Sequence, residues 1–282
     1  MSVGAIAYSY LKKHSPSTIP KVIAILKKHP DFNLRWRHRY DSVPAADKDL
    51  FLFMEAARWP DDIKSWYLKT KPSEIHKPSH YVDHPITFDN SPIGQPEKEN
   101  ILVAFKTNLD QLASKHAKDS DKAISLCWIF HLMGDIHQPL HNASLFSHAF
   151  PAPTGDRGGN NFKIIGGPSE LHAFWDDVFL PETSKKEITK HLPGWYTKVD
   201  QEYKAAMKSN SVAYDPNYKF DAAKASQDGV ALAKSSAYQF KSKQLVSGEQ
   251  VPMGYEAHTK EISSKQINTA GMRLAVLLSK SL

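Results

Sequence analysis

The stretch SDKAISLCWIFHLMGD, residues 120–135, is apolar on nearly every side, with Ile124, Leu126, Trp128, Ile129, Phe130 and Met133 distributed around a helical turn. A helix with one apolar stripe lies on a surface, whereas a helix apolar all round has to be wrapped by other elements. This chain is therefore expected to fold around a central buried helix. That helix ends in HLMGDIHQPLH, which sets His131, Asp135, His137 and His141 within eleven positions beside the core. An ionisable side chain left unpartnered in such surroundings costs several kcal/mol. Either these groups satisfy one another or something else satisfies them.

The remaining patterning is helical too. Val3, Ile6, Ala7, Tyr10 and Leu11 form an i, i+3, i+4, i+7, i+8 stripe. STIPKVIAILKK reads as a second helix, with Thr18 as N-cap, a proline in the first turn and lysines where the dipole favours them. PAADKDLFLFMEAARW reads as a helix running into Pro60, and EKENILVAFKTNLDQLASKHA as another, with Leu102, Phe105, Leu109 and Leu112 on one face. Pro139 is expected to stop the central helix. At the C-terminus Ile267, Ala270, Gly271, Leu274, Leu277 and Leu278 recur at helical spacing and should pack into the same core. The fold class is mainly α, a single-domain helical bundle over 1–282. PAPTGDRGGNN is a turn-rich loop, followed by the one clear strand candidate, a short strand or hairpin near 161–165.

Composition narrows the chemistry. Cys127 is the single cysteine and sits in an apolar run, so it reads as a small buried hydrophobe and excludes an internal disulfide framework. Histidine is abundant instead, 14 residues, five of them between His131 and His172. Imidazole and carboxylate ligands suit zinc without thiolates. The formal charge of +6 is a modest excess that favours an anionic partner. No apolar run is long enough for an integral membrane segment, and no signal peptide opens the chain as it stands.

His131 and Asp135 are four residues apart and share a helix face, and His172 and Asp176 in LHAFWDD repeat the spacing. One H-x-x-x-D pair alone is usually a salt-bridged surface. Two pairs, the first of them set among Trp128, Ile129 and Phe130, point to a metal, with His141 beyond Pro139 able to close over a second ion.

HLMGDIHQPLH, GGNN and LHAFWD, in this order, together with RWPDDIK and SHYVDHP upstream, resemble the signature of the zinc-dependent single-strand nucleases of the S-one/P-one family. The likeness covers essentially the whole chain. It implies a mainly helical domain with three zinc ions at the bottom of a cleft. Carried over by motif, Asp61, His80, His131 and Asp135 hold the first zinc, and His141, His172 and Asp176 the second, with Asp135 bridging to a third. In the family the third ion is completed by an N-terminal Trp and a nearby His. VGAIAYSYL matches the stretch just after them, so those ligands fall before Met1. A chain beginning at an internal Met is the expectation, a natural two-zinc variant the alternative. His14 is off the pattern.

The resemblance also implies roles. Asp61 orients or deprotonates the attacking water, and Lys64 takes the position of a cation that stabilises the transition state. Tyr81 stacks a nucleobase, Asp83 hydrogen-bonds its edge, and Asn160 helps shape the cleft. Base stacking is worth roughly 1–3 kcal/mol and tolerates any sequence, which suits single strands whose bases have free faces. The implied activity is hydrolysis of single-stranded DNA or RNA to 5′-mononucleotides, with 3′-nucleotidase activity, in a secreted or periplasmic protein. Nucleic acids and nucleotides are the implied partners, and no obligate protein partner is evident. A zinc phospholipase C is the rival enzyme, and a catalytically impaired zinc-binding protein the rival of another class. His137 and His148 receive no role, and NAS at 142–144 is formally a glycosylation acceptor.

Overall fold

Helix α6 (Asp119–Asp135) is buried without interruption from Ser125 to Met133, as a helix apolar all round must be. The computed structural model describes residues 1–70, 77–177, 203, 204, 208, 210 and 212–282, with the side chains of 64–70, 77 and 78 outside that description. Around α6 pack α1 (Ser2–His14), α2 (Thr18–Leu26), α4 (Lys48–Thr70), α5 (Ile101–Ala113) and the long C-terminal α9 (Tyr255–Ser281). A short α3 (Arg37–Ser42) precedes α4, and α7 (Leu171–Asp177) and α8 (Ala222–Leu232) complete the α-helices among the described residues. The mainly α expectation holds.

The stripe on α1 is buried as its spacing requires, from Val3 through Leu11. Its closest partner is α9, where Gly271 makes the approach possible: a Cβ there would come within 2.2 Å of Ile6 Cγ2. Asn100 caps α5, its side chain accepting from the Leu102 and Val103 amides. Two expected boundaries shift. Thr18 lies inside α2 rather than capping it, its hydroxyl 2.9 Å from Ser15 Oγ. Helix α4 continues through Pro60 to Thr70. A proline in a helix interior costs about 3 kcal/mol, and the burial of Phe51, Phe53, Met54, Ala57 and Trp59 against α1, α2 and α6 offsets it. Asp61 thereby stays on a helix.

A four-residue parallel ladder joins β1 (His84–Thr87) to β2 (Ala143–Phe146), in register from His84 opposite Ala143 to Thr87 opposite Phe146. The strand near 161–165 is shorter than expected, β3 (Ile164–Ile165), and pairs in parallel with β6 (Glu249–Gln250); β4 (Gln239–Phe240) and β5 (Lys243–Gln244) form an antiparallel pair. These elements enclose a second apolar cluster containing Leu140, Leu145, Phe162, Leu171, Trp175 and Tyr238. Asn142, the formal glycosylation acceptor, is fully buried, donating to the Ile136 and Gln138 carbonyls at 3.0 and 2.9 Å. Cys127 is buried in the main core. No helix among the described residues is long and apolar enough to cross a membrane.

Candidate metal centre

The C-terminal end of α6 opens on a cleft of about 560 Å³, lined by α1, α4, α7 and the turn after Pro139. From α6, the spacing of four brings His131 Nε2 to 3.0 Å from Asp135 Oδ2. Asp61 enters from α4, its Oδ1 3.7 Å from His131 Nε2. His80 arrives from the segment leading into β1. That segment is tied to the turn after α6 from both sides: the Val82 amide donates to the His141 carbonyl (2.9 Å), and His141 Nδ1–H donates to the His80 carbonyl (2.7 Å). The β1–β2 ladder continues this register, so two stretches about sixty residues apart deliver His80 and His141 side by side.

His80 Nδ1, His131 Nε2 and Asp135 Oδ2 form a triangle with sides of 2.9, 3.0 and 3.0 Å. His131 Nδ1–H donates to the Ala57 carbonyl at 2.9 Å, so Nε2 faces the triangle as a lone pair. Lone pairs and a carboxylate oxygen this close repel one another unless a proton or a cation sits among them. A tetrahedral zinc with bonds near 2.0–2.1 Å holds its ligand atoms about 3.3 Å apart, so the donors fit that ion after a small outward relaxation. Asp61, His80 and His131 form one such group, and His141, His172 and Asp176 a second, ligand atoms in each lying within 4.8 Å of one another. In the second group His172 Nδ1–H donates to the Gly158 carbonyl (2.6 Å), again leaving Nε2 inward, 3.5 Å from Asp176 Oδ2. His141 Nε2 lies 3.8 Å from Asp176 Oδ1. Asp135 stands between the groups, its Oδ2 also 4.0 Å from His141 Nδ1.

Three of the four imidazoles thus donate Nδ1–H to a backbone carbonyl, the arrangement that fixes tautomer and ring orientation in metal sites. Gly158 can supply its carbonyl because its φ of +60° and the close Leu140 carbonyl, 2.4 Å from any Cβ built there, exclude a side chain. Charge follows geometry. Burial works against a charged His141, yet Asp135 and Asp176 overcome it and raise its pKa to about 9. Burial likewise opposes ionisation of Asp135, and the His131 and His141 charges reverse that, holding its carboxyl well below the usual range. At His172 burial prevails over Asp176 and lowers the pKa.

Beside the second group a small pocket of about 50 Å³ collects Tyr81, Asp83, Leu140, Arg157, Asn160 and His172. Burial, with Glu97 and Asp156, raises the Asp83 pKa to about 7, against Arg157 and His141. Asn160 donates to the Arg157 carbonyl at 2.8 Å, a turn contact within that pocket wall. The Lys64 side chain lies outside the described residues. His14 stands at the far end of α1, stacked on Tyr214 with ring centroids 4.2 Å apart. His137 turns into the core, bonded to the Met133 carbonyl and to Arg273, while His148 pairs with Asp89 at the surface. Met1 lines the cleft, its amine buried near Asp61; burial lowers that amine's pKa to about 6 although Asp61 opposes the shift.

Two residues at the site were not anticipated. Gln138 donates to Asp176 Oδ1 at 2.9 Å and accepts from the Leu140 amide, tying the turn after α6 to α7. A glutamine directly before Pro139 was the available signal, as an N-cap to a short turn. Arg157, the one Lys or Arg among the described residues of the Tyr81–Asp83 pocket wall, has φ +56° and lies in the Gly-rich loop, where nothing in the spacing marks it.

A helical bundle carrying paired imidazole and carboxylate groups at the floor of a cleft is the class of a metal-dependent hydrolase. The chain matches the family described as S1/P1 Nuclease over residues 1–282 and belongs to it. It is similar to Endonuclease 1 of Arabidopsis thaliana, 26% identical over 244 residues that cover 79% of this chain and 72% of that one. It is similar also to Endonuclease 4 of the same plant, 28% identical over 165 residues (53% and 49% of the two chains). Nuclease S1 of Aspergillus oryzae is 27% identical over 135 residues, 45% of this chain and 41% of its own length. By class, then, the protein is a hydrolytic endonuclease with nucleic acid as substrate.

Proposed function

We propose that the protein is a zinc-dependent phosphodiesterase that cleaves single-stranded DNA or RNA to 5′-mononucleotides, and removes 3′-phosphates at the same centre. The observation that carries this reading is the triangle of His80 Nδ1, His131 Nε2 and Asp135 Oδ2 at the floor of a cleft that also reaches His141, His172 and Asp176. Asp61, His80, His131 and Asp135 would hold one zinc, and His141, His172 and Asp176 another. Bound zinc supplies a lowered water pKa and positive charge for the phosphoryl oxygens.

Asp61 has a side chain 56% exposed to the cleft, so its carboxylate can accept a hydrogen bond from the attacking water and take its proton. The new bond joins the water oxygen to phosphorus, and the P–O3′ bond breaks, the leaving O3′ taking a proton from solvent to become the 3′-hydroxyl while the phosphate stays on the 5′ side. Tyr81 offers a ring face to a base, and Asp83, Arg157 and Asn160 offer polar contacts to its edge. Pairing in a duplex removes that access, which is why single strands are preferred. Lys64, three residues after Asp61 in the sequence, is the candidate cation for the transition state. A secreted or periplasmic location accompanies this reading.

Against a phospholipase C, none of the large exposed apolar residues among those described, such as Leu34, Val103, Ile165 and Met253, lines the cleft. A lipase needs an apolar rim there. The test is a release assay with purified, zinc-loaded protein on a single-stranded oligonucleotide, its duplex, and phosphatidylcholine, with metal content measured in parallel. Single-strand cleavage yielding 5′-phosphates at about two or more zinc ions per chain supports the reading; release from the lipid alone, or zinc below one per chain, overturns it.

A further inference from the structure

The positive charge of this chain is not spread evenly. Residues 1–50 hold nine Lys and Arg against four Asp and Glu, so nearly all of the formal +6 originates in the first fifth of the sequence. Within that region a second cavity, about 340 Å³, is lined by Tyr8, Ser9, Lys12 and Lys13 of α1, Leu50 of α4, and Lys204. No carboxylate lines it among the described residues, and neither Lys12 nor Lys13 is ion-paired to any of them; Lys12 Nζ instead lies 6.0 Å from the centroid of the Tyr8 ring.

This basic cavity neighbours the metal cleft. Helices α1 and α4 run antiparallel, Gly4 meeting Phe53 and Ala57 while Tyr8 packs on Phe53. The cleft is lined by Met1, Ser2 and Val3, by Ala57, Arg58, Asp61 and Asp62, and by Tyr203; the basic cavity uses the next turns of α1, Leu50 about two turns earlier on α4, and Lys204. Along the α1 axis the separation from Val3 to Tyr8–Lys12 is about 8–14 Å at 1.5 Å per residue. Grooves for single strands engage roughly 4–16 nucleotides, so one bound strand spans both.

We propose that Lys12, Lys13 and Lys204 form a phosphate-binding subsite for the backbone of a single-stranded nucleic acid whose scissile bond lies in the metal cleft. The assignment rests on the nuclease reading for its substrate. Lysines here give charge without base readout, so the subsite favours longer strands of any sequence and does not touch the reacting atoms.

The experiment compares the wild-type chain with Lys12→Gln/Lys13→Gln. Binding of a fluorescein-labelled, hydrolysis-resistant phosphorothioate thymidine 15-mer to the zinc-loaded protein is followed by anisotropy across a salt series, and hydrolysis is measured on the unmodified 15-mer and on a dinucleotide. The double variant should bind the 15-mer about tenfold more weakly, with a salt slope smaller by about 1.4, since each single-strand phosphate contact contributes about 0.7. Its kcat/KM should fall on the 15-mer and stay unchanged on the dinucleotide. Lys115→Gln/Lys118→Gln, which removes equal charge near the opposite end of α6 from the cleft, should behave as wild type. Unchanged affinity and slope in the first variant overturn the subsite, as does an equal loss in the second, or binding to phosphatidylserine vesicles with none to the oligonucleotide. A wild type that hydrolyses nothing would remove the nuclease reading, while the anisotropy series still decides the binding surface.

Discussion

Gln138 offers the sharpest test of how the site is held together. Its amide nitrogen donates to Asp176 Oδ1 at 2.9 Å, and its carbonyl oxygen accepts from the Leu140 amide in the turn that carries His141. Replacing Gln138 with Ala removes an orienting contact to a proposed ligand of the second zinc while leaving the first group untouched. Loss of such outer contacts costs 10–100-fold in metal affinity. Because the Asp176 side chain is 44% exposed, water can replace part of the lost donor, which sets the expectation at the low end. That is about tenfold, or about 1.4 kcal/mol. The lost turn cap should cost a further ~1 kcal/mol of fold stability. The assay is competitive zinc titration against a chelator, resolving two binding steps, with thermal unfolding of the metal-free protein alongside. One step should weaken about tenfold and the other stay put. Equal weakening of both steps, or none in either, would refute the argument that Gln138 orients Asp176.

Asp61→Asn loses the proton acceptor and weakens a proposed zinc ligand, so at zinc occupancy matched to wild type kcat on a single-stranded oligonucleotide should fall at least a hundredfold, with KM nearly unchanged; a rate within tenfold of wild type at equal occupancy rules out Asp61 as base. His29 is buried between Trp36 and Trp59 and accepts from the Asp31 amide, and burial lowers its pKa to about 4 despite Asp31. The unfolded chain therefore binds this proton first, so stability present above about pH 6.5 is lost as pH falls toward 4, at up to about 1.4 kcal/mol per unit. His29→Phe should flatten urea midpoints across that window, and an unchanged slope would count against the assignment. Gly271→Ala forces a Cβ to within 2.2 Å of Ile6 and should cost about 1–3 kcal/mol, lowering Tm by several degrees in a thermal melt; an unshifted Tm would mean that α1 and α9 separate freely.

Much of the bundle was legible because helical burial writes itself into the sequence at a period of 3.6 residues. The stripes on α1 and α9, the all-round apolar α6 and the two i, i+4 His–Asp pairs all follow from that period; Asp61, His131, Asp135, His141, His172 and Asp176 line one cleft, and His80 lies within 3.0 Å of His131 and Asp135. Where the reading failed, the deciding interactions were non-local. Pro60 predicts a helix end from local sterics, and packing of Phe53, Met54 and Trp59 keeps the helix going. The β1–β2 ladder is only four residues long and pairs His84–Thr87 with Ala143–Phe146, too short for an alternating pattern to register.

What the sequence alone determined was the chemistry available: imidazoles and carboxylates without thiolates, placed at the end of a helix that had to be buried. Tertiary structure decided which nitrogen each histidine presents, because the carbonyls of Ala57, His80 and Gly158 that take the other proton are backbone atoms common to every residue. It also decided that Gln138 and Arg157 reach the site while the rings of His14, His137 and His148 are engaged by Tyr214, Arg273 and Asp89 instead. Side-chain identity is carried by the sequence, whereas lone-pair direction is set by neighbours as far as seventy-four residues away, and only folding brings them within hydrogen-bonding distance.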